Sequence, residues 1–153
     1  MKRPISILLL TVGAMLLTGS ATVANGPPPE GRTYFIYLMG LEDDLYDISA
    51  DCLEFDETQA CSIGDQFCMT WQEAEGGSPT SKAFGISFAA EIDSEGLLIT
   101  LEGQGRVETR GRRSSISGVG RAAALDVQVN FAFSGREVGR SKCLRMVEDF
   151  FEQ

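Results

Sequence analysis

Residues 84–120 read FGISFAAEIDSEGLLITLEGQGRVETRGRRSSISGVG. Phe84, Ile86, Phe88, Ala90 and Ile92 occupy even positions, and Leu97, Ile99, Leu101, Val107 and Thr109 odd ones. A period of two sustained over such lengths identifies β-strands with one buried face each. Asp93-Ser94-Glu95-Gly96 between them reads as a four-residue hairpin loop with Gly at a positive φ. That loop pairs Ile92 with Leu97, Ala90 with Ile99 and Phe88 with Leu101, so both apolar faces agree.

A second hairpin follows. With Gly111-Arg112 as a two-residue type II′ turn, Arg110 pairs with Arg113 and Val107 with Ile116. The same register sets Gly105 opposite Gly118 and Gly103 opposite Gly120. Glycine weakens a strand interior and belongs where a sheet bends hard or where something approaches the backbone closely. The four glycines therefore read either as a barrel-closing bend or as a floor for a ligand.

Leu125, Val127, Val129, Phe131 and Phe133 alternate with polar or small residues as a further strand. Ser134-Gly135-Arg136-Glu137 reads as the next turn, followed by a strand over residues 138–146 and a tail, 147–152, that is helical or extended. Upstream, residues 34–41, 52–55 and 68–74 supply two or three more strands. A twisted antiparallel meander of seven or eight strands closes into a small barrel or folds into a two-layer sandwich. The barrel is expected, because closure removes exposed edges.

Residues 1–24 carry Lys2 and Arg3, an apolar core from Ile5 to Leu17, and small residues Gly19, Ser20, Ala21 and Ala24. This is the pattern of an export signal cleaved after Ala24, with an apolar core too short to span a bilayer. A Pro-rich leader, 25–32, without a packing pattern, and one all-β domain, 33–153, are expected to follow, in a periplasmic or extracellular setting.

Four cysteines in an oxidising compartment read as two disulfides. Three pairings exist; Cys61 with Cys68 and Cys52 with Cys143 is favoured, since the segments around Cys52 and Cys143 both look like neighbouring strands. On the chain-entropy model the short loop contributes about 2.5 kcal/mol and the long one about 4.6. Zinc is disfavoured, because the Cys spacing lacks a knuckle and the chain has no His.

The absence of His also excludes Ser-His-Asp and Cys-His catalysis. Gly85-Ile86-Ser87-Phe88-Ala89 only half-resembles a nucleophile elbow and has no base to serve it. Carboxylate chemistry is all that remains to an enzyme, and no cofactor motif is present.

Charge is unevenly spread. Residues 25–101 hold 15 acids against Arg32 and Lys82, whereas residues 102–153 hold 7 acids and 9 bases. The acidic balance repels nucleic acid and anionic lipid. On a calcium loop, Asp43, Asp47, Ser49, Asp51 and Glu54 take ligand positions, but Leu45 and Ile48 stand where a ligand and the turn Gly belong, so no metal is expected. Arg106, Arg110, Arg112 and Arg113 gather at one hairpin tip, either as a solvated edge or as a docking point for an acidic partner, including the 42–57 segment of a second copy. The only Trp, Trp71, is expected to pack over a disulfide, with ligand stacking as the alternative.

Three functions follow. The first is an exported, non-catalytic binding protein whose barrel holds an apolar or amphipathic ligand against Phe84, Phe88, Phe131, Phe133 and the wall made by Gly103, Gly105, Gly118 and Gly120. The second is an envelope protein-interaction module or inhibitor acting through charged loops. The third is a carboxylate-only hydrolase. A hollow interior favours the first and a filled one opposes it.

Overall fold

A computed structural model describes residues 27–41, 48–64, 67–74 and 83–153. Eight antiparallel strands close into a barrel in chain order: β1 (Thr33–Gly40), β2 (Ile48–Phe55), β3 (Gln59–Ser62), β4 (Cys68–Glu73), β5 (Ala83–Ser94), β6 (Leu97–Arg110), β7 (Arg113–Ala124) and β8 (Val127–Glu137). A helix, α1 (Arg140–Phe151), follows. β1 closes the ring by pairing with β8, Leu38 facing Phe133. The barrel is thus the outcome and the sandwich is not. Residues 1–24, expected as an export signal, and the acidic stretch 42–47 lie outside the described residues.

Short connections fix the registers. At Gly111-Arg112 only the glycine has positive φ (63°), as a type II′ turn requires, and Val107↔Ile116, Gly105↔Gly118 and Gly103↔Gly120 pair as the sequence implies. The β5–β6 hairpin departs from expectation by two residues: Ile92 faces Ile99, Ala90 faces Leu101 and Phe88 faces Gly103. Its loop is only Glu95-Gly96, both at positive φ (53° and 84°), and Asp93 Oδ1 accepts the Gly96 N–H at 3.0 Å. A two-residue turn of this hand matches strand twist better than a four-residue one, and the even shift leaves every side chain on the same face.

Further corrections fall around β7, β8 and the tail. Leu125 does not open a strand; with φ 53° it forms a turn with Asp126, and Ala124 pairs with Val127. Ser134 to Glu137 is not a turn but the end of β8, where a side chain on Gly135 would meet the Phe35 carbonyl oxygen at 2.3 Å and Ile36 Cγ2 at 2.6 Å. That glycine serves close approach to β1. Residues 140–151 are helical, because Cys143, Met146, Val147 and Phe150 recur at helical spacing and form one apolar face. The face lies outside the barrel on Phe35, Ala50 and Cys52. Cys52–Cys143 covalently joins helix to wall, and Arg140 pairs with Glu54 at 2.7 Å. The long disulfide therefore ties β2 to a helix rather than to a last strand.

The second disulfide, Cys61–Cys68, spans directly opposed residues of β3 and β4. These are the shortest strands, of four and six residues, and three residue pairs join β3 to each neighbour. The bond reinforces the thinnest part of the wall.

The end of the barrel bearing Gly111-Arg112 is the base, and it is plugged. Tyr34, Phe55, Trp71 and Phe84 form a chain of edge-to-face rings with centroids 5.6, 6.0 and 6.2 Å apart. Pro29, in the leader expected not to pack, is fully buried, and the Gly31 N–H donates to the Phe55 carbonyl at 2.8 Å. The Tyr34 hydroxyl shares a buried hydrogen bond with Ser114 Oγ at 2.9 Å. Burial pushes the Tyr34 phenol above its usual value of 10.0, opposed by that bond and by Arg32.

A phenol whose ionisation is harder in the folded chain contributes stability that is complete below pH 10 and lost as pH rises through the folded value. Thermal melts should therefore show an alkaline decline beginning near pH 10, with Tyr34→Phe declining less steeply. At neutral pH that variant should be less stable by about 1 kcal/mol through loss of the hydrogen bond.

Candidate functional site

Inward-facing residues stack in rows that run around the wall. One row is Phe88, Gly103, Gly120 and Phe131 on β5, β6, β7 and β8; the next is Ile86, Gly105, Gly118 and Phe133. Each phenylalanine is directly opposite a glycine and lies over it. A Cβ on Gly103 would meet Phe88 Cζ at 2.4 Å, one on Gly120 would meet Phe131 Cζ at 2.4 Å, and ones on Gly105 and Gly118 would meet Phe133 Cζ at 2.8 and 2.5 Å. The glycines are thus seats for aromatic rings, not bare floor. Phe88 and Phe133 also meet edge to face at 5.5 Å.

Rings held back against their own wall leave space at the centre. A cavity of about 220 Å³ is lined by Leu38, Leu53, Phe67, Met69, Leu101 and the rings of Phe88, Phe131 and Phe133, among others. Of the residues expected to line a site, those three rings do so; Phe84 sits instead in the base plug. Ser49 and Asp51, assigned on sequence to calcium positions, lie on a strand with side chains turned into this cavity, while Glu54 faces outward to Arg140. Asp51 is buried, with one carboxylate oxygen accepting the Cys52 N–H at 2.6 Å. Among the described residues no group of three acids or cysteines is placed to hold a metal.

The cavity lies toward the mouth, the end opposite the plug. Toward that end β4–β5 pairing stops at Thr70↔Ala89 and β8–β1 pairing at Gly40↔Phe131, but β5 continues to Ser94 and β8 begins at Val127. Four strands therefore project beyond the described parts of the other four as a tongue, over about 16 Å at the usual rise per residue. Its inner face carries Ala90, Ile92, Leu97, Ile99, Leu101, Ala122, Ala124, Val127 and Val129. Leu97, Val127 and Val129 face inward yet remain 36, 65 and 41% exposed, the described part of the opposite wall stopping short of them.

No family model matches this chain. No curated protein and no solved structure matches it either.

Other sequence-predicted residues fall elsewhere. Trp71 points into the barrel, on the opposite face of β4 from Cys68; it packs on Phe55 and Phe84, and its indole N–H donates to the Asp56 carbonyl at 3.0 Å. Its partners are thus rings and backbone rather than a disulfide. Arg110, Arg112 and Arg113 are exposed at the base tip, and Glu108 pairs with both Arg106 (3.2 Å) and Arg110 (3.4 Å). These arginines lie at the far end from the cavity. A wider depression, about 930 Å³, lies open on the outer wall over Ser87, Glu102, Gln104, Val119 and Arg121. It is larger but more open to solvent, whereas the inner cavity is more sheltered and mostly apolar, the usual character of a small-molecule site.

The glycine seats are a firm test of this arrangement. A methyl at position 118 would lie 2.2 Å from the Gln104 carbonyl oxygen and 2.7 Å from Gly105 Cα. Gly118→Ala should destabilise the barrel by about 3 kcal/mol in denaturant titration. Gly111→Ala has open space around it and should pay only the positive-φ cost of about 1 to 2 kcal/mol.

Proposed function

We propose that this chain is an exported, non-catalytic binding protein that holds a small apolar or amphipathic ligand in the mouth half of its barrel. The observation that carries the reading is the 220 Å³ cavity, walled by Phe88, Phe131 and Phe133 and continuous in sequence register with the exposed apolar tongue. Eight-stranded barrels have interiors wide enough either to fill with side chains or to hold one small ligand. A dry apolar cavity of about 150 Å³ already accepts a single benzene ring. One ring or one short chain fits here, and anything longer rests on the tongue.

Export is supported by the signal pattern of residues 1–24 and by two disulfides, which persist in oxidising compartments. No helix among the described residues is long and apolar enough to cross a membrane. The non-catalytic reading draws on the absence of His and on a described cavity lining that offers a single carboxylate, Asp51, where carboxylate hydrolysis uses two.

Titration with the neutral fluorescent probe N-phenyl-1-naphthylamine tests the site. The wild-type protein should bind one equivalent with enhanced emission. Ala122→Phe, which places a ring on the inner face between Leu101 and Val129, should weaken binding at least about tenfold, or 1.4 kcal/mol, with little change in melting temperature. Absence of binding to the wild type, or equal binding by both proteins, contradicts the proposal.

A further inference from the structure

The ligand's chemical class follows from the mouth's shape and charge, on the footing of the binding function proposed above. The cavity is too small for a fused-ring lipid or a pair of acyl chains, but the tongue continues its apolar surface outward through Leu101 and Ala122, then Ile99 and Val129, to Leu97 and Val127. A single chain, seated at its end against Phe88 and Phe131, would lie along this face. Its head group would then emerge at the tips of the two hairpins.

Those tips are acidic. Asp93 precedes the β5–β6 turn, Glu95 lies in it and Asp126 completes the β7–β8 turn, with no basic residue in either. The nearest base on the tongue, Arg121, points to the outer wall and pairs with Glu102 there. The described cavity lining repeats the sign, holding Asp51 and no basic side chain. The three arginines of the Arg110–Arg113 tip stand at the opposite end of the barrel, and the whole chain carries a formal charge of −9. An apolar groove inside a negative field raises the local concentration of cations and disfavours anions. We infer that the mouth takes a single-chain amphiphile with a positively charged head group.

Three ten-carbon probes separate this inference from the reading beneath it: decyltrimethylammonium, decyl sulfate and 1-decanol, each titrated calorimetrically below its micelle or solubility limit. The cation should bind about fivefold or more tighter than the sulfate at low salt, with the gap closing as salt screens the exposed acids. In the triple variant Asp93→Asn, Glu95→Gln, Asp126→Asn the gap should narrow to within about twofold at low salt while decanol affinity is unchanged. Asn at position 93 keeps an acceptor for the Gly96 N–H, so the turn is preserved. Decanol binding together with equal affinities for the two ions, or tighter binding of the sulfate, overturns the cationic assignment and leaves the binding function standing. Failure of all three probes, decanol included, removes the binding function itself.

Discussion

Three phenylalanine rings lying on four glycines set the inner dimensions of this barrel. In an eight-stranded barrel a full complement of inward side chains fills the lumen. Here two adjacent rows lose their side chains on β6 and β7, and the rings from β5 and β8 fold back over the vacated backbone. Cross-strand aromatic–glycine pairs recover the packing that glycine forfeits, and they bring the wall close to its own covering. The same arrangement that buries Phe88, Phe131 and Phe133 keeps the space in front of them from being filled.

The remaining features divide the barrel into a rigid end and an open one. At the base, Tyr34, Phe55, Trp71 and Phe84 interlock, Pro29 is buried, and a hydrogen bond joins the buried Tyr34 and Ser114 hydroxyls. The wall is weakest at β3, and a disulfide crosses that strand; the helix adds a second small core on the outside and is held by the other disulfide. Nothing comparable closes the described part of the mouth, where long strands outrun short ones and leave apolar side chains in solvent. Exposed apolar surface next to a sheltered, mostly apolar cavity is the combination on which the binding proposal rests.

Much of this was legible in the residues. Alternation over 84–133 gave the strands and their inward faces, the turn glycine at 111 gave one register, and the even cysteine count gave two disulfides; the favoured pairing is the one observed, although Cys143 lies on a helix and not on the neighbouring strand that motivated it. The glycine pairs were legible too, but their occupants were not. A loop at Asp93–Gly96 set Phe88 opposite Leu101, which left Gly103 apparently bare; the two-residue turn sets Phe88 on Gly103 instead. That even slip hid the ring over Gly103 without moving any side chain across the sheet; the rings over Gly105, Gly118 and Gly120 come from β8, through the β7–β8 register. The helix was missed because Val138 to Met146 carries enough apolar residues to suggest a strand, and only the partner surface of Phe35, Ala50 and Cys52 selects the helical face. The mouth was missed because strand lengths depend on pairing partners, which no single segment reveals.

The central claim is that a closed, disulfide-stapled barrel keeps apolar space in front of the Phe88, Phe131 and Phe133 rings. A crystal structure of the protein under xenon pressure addresses it directly. The account predicts xenon in the lumen between those rings and Leu38, Leu53 and Leu101, with the backbone unmoved. A lumen filled by side chains, with no xenon inside the barrel, would contradict it.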